Sequence, residues 1–235
     1  MKYIITLLFV FLLNCNNTET QNYEVKFKGA LREMMHAGNL TSRMALSEVE
    51  NLENLYALGA TENLKGEIQI FNSKPYNSAE RNADVVIENS FDENASLLVY
   101  AQVENWIDVE IPSNIITYQE LETFVFDQAK SKGLDTEKPF PFMMNGIVKS
   151  IDWHVINWKD GDTEHSHKKH VESGPHGTLE NANLEILGFY SNKHHAIFTH
   201  HTTNMHLHFR KLDNTLAGHI DGMIFGENMM LRLPK

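Results

Sequence analysis

The sequence predicts an α+β protein that is rich in β-structure and divided into two lobes. Apolar and polar residues alternate with period two along much of the chain, and helical i, i+3, i+4 patterns are few. The second half consists almost entirely of strand-like runs separated by Gly, Asn and Asp turns. We expect a mixed-sheet lobe with one or two helices over residues 25–138, followed by a mostly antiparallel β lobe over residues 139–235.

The first lobe should begin with a strand that turns into a helix near Ala30, within residues 23–39. A second helical segment is predicted to start at Ser47 and end at Gly59, because serine often precedes a helix and glycine often ends one. Residues 65–76 (KGEIQIFNSKPY) then alternate with period two, which indicates a strand that closes into a turn.

One further helix and several strands complete the prediction. Residues 117–132 carry the i, i+3, i+4 pattern of an amphipathic helix, and Gly133 should stop it. Strand-like segments occupy residues 83–90, 95–111, 147–158, 177–190, 195–210 and 217–225.

The amino-terminal residues predict export from the cytoplasm. Lys2 precedes an apolar run over residues 3–13, which is shorter than the ~20 residues of a membrane-spanning helix but typical of a signal peptide. Cys15, the only cysteine, follows this run as the acylated cysteine does in bacterial lipoproteins. We expect residues 1–15 to be a signal peptide with a lipobox and residues 16–24 a tether. A plain secretory signal is the alternative, and membrane contact should occur only through the lipid anchor.

Composition narrows the classes of partner. The formal charge is −11, with 31 acidic and 20 basic residues, and no local run of basic residues offsets it. Such a surface repels phosphate backbones, so we expect no nucleic-acid partner. A hydrophobic content of 42% is sufficient for a sizeable core. A single cysteine excludes an internal disulfide.

Three histidines near the carboxyl terminus form a candidate metal site. Side chains at i and i+2 of a strand share a face, so His206 and His208 should project together, with Arg210 beside them. A short hairpin can bring His219 of the next strand next to this pair. Three imidazoles and an open position are what a catalytic Zn²⁺ uses, although other divalent ions accept the same ligands. The alternative is a solvated histidine face.

The other histidines of the second half are predicted to be less involved. His165, His167, His170 and His176 lie in a segment rich in lysine that we interpret as an exposed loop. The pairs at 194–195 and 200–201 are predicted to be surface or packing residues.

The segments around the three histidines resemble the α-acetolactate decarboxylase family. The resemblance is carried by LKGEIQIFNSKPY (64–76), PFPFMMNGIVKSIDWHVI (139–156), LGFYSN (187–192), MHLHF (205–209) and GHIDG (218–222). The ordered matches run from about residue 36 to 233.

This resemblance implies a function and a set of site residues. The family converts 2-acetolactate, a 2-hydroxy-3-keto acid, to acetoin and CO₂ with a zinc ion. The resemblance also implies that the protein forms a homodimer. By position, the zinc ligands would be His206, His208 and His219. Glu67 would reach the site from the first lobe as a general acid/base or as a partner of the metal-bound groups.

Two departures from the family pattern leave other functions open. His154 stands where the family carries an arginine, and a late family glutamate has no counterpart in this sequence. Arg210 is a candidate substitute for the missing arginine. One alternative is an exported zinc-binding protein without turnover or with another specificity. A further alternative is a different three-histidine enzyme, such as a cupin-like oxygenase or a carbonic-anhydrase-like hydratase.

Overall fold

The computed structural model describes residues 22–235, which form two antiparallel sheets and three α-helices. The predicted signal peptide, Cys15 and most of the tether lie outside the described residues. Within residues 22–235, no helix is both long and apolar enough to cross a membrane.

The first sheet contains the strands of the amino-terminal half, in the order β1-β8-β3-β4-β6-β7, with β2 paired to β8 and β5 to β4. Its strands are β1 Lys26–Lys28, β2 Met44–Ala45, β3 Leu55–Thr61, β4 Glu67–Phe71, β5 Lys74–Pro75, β6 Asn77–Arg81, β7 Asp84–Glu88 and β8 Asn94–Gln102. Helix α1 (Leu31–Ala37) lies between β1 and β2, and short 3₁₀ turns occupy Leu46–Glu48 and Glu62–Leu64.

The second sheet is built on a long hairpin and has the order β11-β12-β13-β10-β14-β9. Because β10 also pairs with β11, the pairings among β10, β11, β12 and β13 form a closed ring of four strands. Its strands are β9 Trp106–Glu110, β10 Phe140–His154, β11 His176–Tyr190, β12 Met205–Lys211, β13 Ala217–Ile224 and β14 Met230–Pro234. Helix α2 (Tyr118–Ser131) precedes β10, and helix α3 (His167–Glu172) lies between β10 and β11.

The predicted fold class, α+β and rich in β-structure, is confirmed. The pairings between named strands are antiparallel in both sheets, so the first sheet is antiparallel where we expected a mixed one. The predicted helix over 117–132 forms as α2, with Thr117 and Glu120 in a reciprocal capping box and Gly133 at positive φ beyond its end.

The predicted helical segment from Ser47 to Gly59 is wrong. Only a single 3₁₀ turn forms near Ser47, and Gly59 lies in the middle of the buried strand β3. A Cβ at Gly59 would lie 1.9 Å from the carbonyl oxygen of Leu97 on β8. Gly59 therefore permits a close approach of two strands and does not end a helix.

The two sheets share a core, and strand β9 (Trp106–Glu110) belongs to the second sheet although it precedes α2 in the chain. Strand β9 pairs with β14, and α2 packs its buried face on the second sheet. Between the sheets, apolar side chains from both contact each other, among them Leu58 and Val99 from the first and Leu187 and Phe189 from the second. This shared interface positions groups from both sheets around one cavity.

Candidate metal centre and active site

Strand β12 separates an apolar side from an imidazole side. Met205, Leu207 and Phe209 pack into the core of the second sheet, whereas His206 and His208 project from the opposite face. Period-two alternation of the strand produces this division. Both imidazoles are nevertheless buried, because the first sheet covers them.

His219 reaches the same point from the neighbouring strand. The register of β12 and β13 places His208 directly opposite His219. Nε2 of His206 lies 3.2 Å from Nε2 of His208 and 3.2 Å from Nδ1 of His219. The ligand atoms of the three residues all lie within 4.8 Å of one another.

These separations suit a tetrahedral metal ion. With Zn–N bonds of ~2.0–2.1 Å, two ligand nitrogens of a tetrahedral site are about 3.3 Å apart. The 3.2 Å separations of His206 from His208 and from His219 match that distance, and all three ligand atoms lie within 4.8 Å of one another. We call His206, His208 and His219 the histidine triad.

A buried amide from the first sheet sets the orientation of His208. Oε1 of Gln69 lies 3.0 Å from Nδ1 of His208, and the amide nitrogen of Gln69 donates to the hydroxyl of Ser78 and the carbonyl of Tyr76. The Gln69 oxygen can only accept, so Nδ1 of His208 carries the proton and Nε2 keeps its lone pair for a metal. Sequence reasoning missed Gln69, although it is two residues after Glu67 on the same face of β4.

Burial keeps the triad in the form that binds metals. Burial lowers the pKa of His206 to about 4 and moves the pKa of His208 well below its ordinary value, with neighbouring histidines adding to both effects. Burial also lowers the pKa of His219. Neutral imidazoles are the metal-ligating form, so little proton competition is expected near neutral pH.

Glu67 brings a buried carboxyl group to the triad from the first sheet. Its Oε2 lies 3.7 Å from Nε2 of His208, while its Oε1 lies 3.6 Å from Nε2 of His154 and accepts the N–H of Ile156 at 3.2 Å. Burial raises the pKa of Glu67 to about 7, although the charge of His154 and the Ile156 hydrogen bond oppose this. The carboxyl can therefore hold or release a proton near neutral pH.

His154 and Asp221 form a buried pair beside Glu67. The β10–β13 register places His154 opposite His219, and Asp221 lies two residues further along β13. Nδ1 of His154 donates to Oδ2 of Asp221 at 2.8 Å. Burial alone would lower the pKa of His154, but the Asp221 hydrogen bond and the charge of Glu67 outweigh it and raise that pKa.

Asp221 was not predicted from the sequence. The i, i+2 rule that paired His206 with His208 also places Asp221 on the same side of its strand as His219. That signal was present in GHIDG and could have been used.

Arg210 is directed away from the triad. Its guanidinium pairs with Glu185 and donates to Asn214 at 2.6 Å. Its Cζ atom also lies 4.4 Å from the ring centre of Tyr76. Arg210 does not line the cavity described next, so the structure does not bring it together with the other predicted site residues.

A cavity of about 330 Å³ opens onto the site. Glu67, His154, Asp221 and two members of the triad, His206 and His219, line its polar part. Apolar side chains of both sheets and of α1 line much of the remainder. Buried acid/base groups that converge on an apolar pocket are the usual arrangement of a small-molecule site.

Histidines from two connecting segments also line this cavity, which the sequence analysis did not anticipate. They are His167 and His170, in α3, and His200 and His201, before β12. The segment predicted to be an exposed loop instead packs partly inward, with His165 stacked on Trp158 at 4.4 Å between ring centres.

Comparison with known proteins identifies the family of this chain. Residues 27–233 match the family model of alpha-acetolactate decarboxylase. The chain belongs to the alpha-acetolactate decarboxylase family. The predicted resemblance is thereby confirmed, and members of this family are metal-dependent.

Solved structures share the fold at low sequence identity. The alpha-acetolactate decarboxylase of Bacillus subtilis strain 168 superimposes with a TM-score of 0.67 at 14% identity, over 90% of this chain and 85% of that one. A Staphylococcus aureus protein of unknown function, described as similar to alpha-acetolactate decarboxylase, gives 0.67 at 15% identity over 88% and 84%. A search of curated proteins found no match.

Proposed function

We propose that this protein decarboxylates 2-acetolactate, or a related 2-hydroxy-3-keto acid, to acetoin and CO₂ with a zinc ion held by the histidine triad. The observation that carries the proposal is the convergence of three imidazole nitrogens beside a buried carboxyl group in one cavity. Membership of the family supports the reaction class.

The reaction has a simple balance of electrons and protons. When the carbon–carbon bond to the carboxylate breaks, CO₂ leaves and its bonding electrons move onto the ketone oxygen as an enediolate. A divalent cation, when bound, supplies Lewis-acid stabilisation of that developing negative charge. One proton must then reach the carbon that lost CO₂, which gives acetoin.

Glu67 is the group we assign to deliver that proton. Its pKa of about 7 allows a fraction of the side chain to be protonated at neutral pH. It lies in the cavity wall, and the backbone N–H of Ile156 fixes its orientation. A fixed donor on one side of the enediolate would also select one face of the carbon for protonation.

His154 takes the place of the family's arginine in this proposal. Asp221 holds Nδ1 of His154 and directs Nε2 toward Glu67, so a protonated His154 would be a positive charge between two buried carboxyl groups. We assign it a supporting role: it returns a proton to Glu67 and stabilises the ionised form of that carboxyl.

The test is a metal and product assay on purified protein. We expect one zinc per chain by elemental analysis and formation of acetoin when 2-acetolactate is added. The absence of acetoin from a protein with a full complement of zinc would contradict the proposed reaction.

A second candidate function is zinc or ligand binding without turnover. It is favoured by two observations: the strand position of the family's arginine is occupied by His154, and Arg210 is held by Glu185. Stoichiometric zinc without acetoin is the outcome that would establish it.

We further propose that the protein is exported and anchored to the cell envelope through Cys15, and that it forms a homodimer. The support for export is the apolar run before Cys15 in the sequence. The support for a dimer is the family resemblance alone. Release from the membrane fraction in Cys15→Ser, and the mass of the purified protein by light scattering, would test these two proposals.

A further inference from the structure

We infer that Arg32 binds the carboxylate of the substrate, and this inference rests on the proposed function. A 2-hydroxy-3-keto acid carries one negative charge at neutral pH. The cavity it must enter already holds the carboxyl groups of Glu67 and Asp221, in a chain of net charge −11. A positive side chain in the cavity wall would add to the attraction of a bound metal ion for this anion.

Arg32 is the one arginine or lysine among the residues that line the cavity. Arg210, the candidate from the sequence, is already bound to Glu185 and Asn214 and is stacked on Tyr76. His154 is engaged by Asp221. Among the described residues that line the cavity, Arg32 is thus the side chain that carries a permanent positive charge.

The guanidinium of Arg32 is available to a ligand. Its side chain is exposed, and no carboxylate in residues 22–235 forms an ion pair with it. The neighbouring Arg43 differs, because its guanidinium pairs with Glu33 at 2.7 Å. A planar guanidinium without a protein partner can bind a carboxylate through two parallel hydrogen bonds.

The backbone that carries Arg32 is fixed in the cavity wall. The N–H groups of Leu31 and Arg32 donate to the carbonyls of Ile197 and Ala196, both at 2.8 Å. Met34, on the same helix, is buried between the two sheets. These contacts hold α1 against the segment that precedes β12, so the backbone of Arg32 has a fixed position in the cavity wall.

The role differs from that of the triad and Glu67. In the reaction the negative charge moves from the carboxylate to the ketone oxygen, so an interaction with the carboxylate is not strengthened in the transition state. Its loss should therefore weaken substrate binding more than it slows the chemical step.

The experiment measures binding of two probes to zinc-loaded protein by calorimetry. The first probe is 2-hydroxy-2-methylpropanoate, which has the hydroxyl and carboxylate but no ketone and cannot decarboxylate. The second is acetoin, which has the hydroxyl and ketone but no carboxylate. We expect Arg32→Gln to raise the Kd of the acid roughly tenfold and leave the Kd of acetoin unchanged. Arg32→Lys should lose less affinity for the acid than Arg32→Gln, because lysine keeps the positive charge.

Arg81→Gln is the matched control, because it removes the same charge from an exposed residue of β6 that pairs with Glu88 outside the cavity. Four outcomes would overturn the inference. Arg32→Gln could bind the acid as tightly as the wild type, or lose equal affinity for both probes. Arg81→Gln could lose as much affinity for the acid as Arg32→Gln, or the wild type could fail to bind the acid. A selective loss of acid binding in a protein that forms no acetoin would sustain Arg32 as a carboxylate-binding residue while the proposed reaction fails.

Discussion

The two sheets contribute different chemistry to the same cavity. The second sheet supplies the imidazoles, from His154 on β10, His206 and His208 on β12, and His219 on β13, together with the Asp221 carboxyl that holds His154. The first sheet supplies a carboxyl and an amide from one strand, β4. The imidazoles are brought together by the register of neighbouring strands, whereas the β4 groups reach them only because the sheets pack together.

This difference suggests a division between holding the metal and moving the proton. Hydrogen-bonded register fixes the positions of the triad within one sheet. Contacts across the interface set the tautomer of His208 and present the carboxyl of Glu67. Substitutions in the two sheets should therefore have separable effects.

The largest effect is expected from a change in the second sheet. His206→Ala removes a nitrogen that lies 3.2 Å from both other members of the triad. Loss of a direct ligand should weaken zinc binding by more than ~100-fold, since even partners of the ligands contribute about 10–100-fold. Elemental analysis after dialysis and the acetoin assay should show metal and activity lost together.

His36→Ala serves as the control for His206→Ala, because His36 is an exposed histidine on α1. It should keep both zinc and activity. If His206→Ala retained a full complement of zinc, the triad would not be the metal site.

A change in the first sheet should instead remove activity and leave the metal. Glu67→Gln preserves the size of the side chain and an oxygen for the Ile156 N–H, but it cannot deliver a proton. We expect kcat to fall by about 10²–10⁴-fold, the usual contribution of general acid–base catalysis, with zinc content unchanged. Loss of zinc in this variant would instead place Glu67 among the metal ligands and remove the division between the sheets.

A smaller effect should follow when the link between the sheets is cut. Gln69→Leu removes the acceptor for Nδ1 of His208 and should lower zinc affinity by about 10–100-fold. Competition with a chelator measures this change. Ser78→Ala, which removes only one acceptor at the far end of Gln69, is the matched control and should lose much less. Equal zinc affinity in Gln69→Leu and the wild type would show that the amide does not orient the ligand.

The parts of this site that sequence could predict are local. His206 and His208 share a face because of strand periodicity, and a short hairpin brings His219 opposite His208. The same rule would have found Asp221 from His219 and Gln69 from Glu67. Period-two alternation in the sequence is therefore sufficient to place Asp221 and Gln69 on the faces that carry His219 and Glu67.

Other features depended on packing that periodicity does not encode. Which strand of the first sheet faces the triad is decided by the shared core between the sheets. The prediction that Gly59 ends a helix is wrong because glycine is favoured both at helix ends and where two strands approach closely. The sequence alone does not distinguish these two uses of glycine. Arg210 follows the i, i+2 rule at its backbone, but its long side chain reaches Glu185 and Tyr76 instead.

The smallest effect on turnover is expected from Arg210→Gln, which tests whether a shared strand face is sufficient for a catalytic role. The guanidinium of Arg210 is engaged with Glu185 and stacked over Tyr76, so its loss should cost about 1–2 kcal/mol of unfolding free energy. Urea denaturation measures that loss, and kcat for acetoin formation should change little. A large fall in kcat without a loss of stability would instead mean that Arg210 leaves Glu185 to act on the substrate, and the second sheet would then supply both the metal ligands and the anion-binding cation.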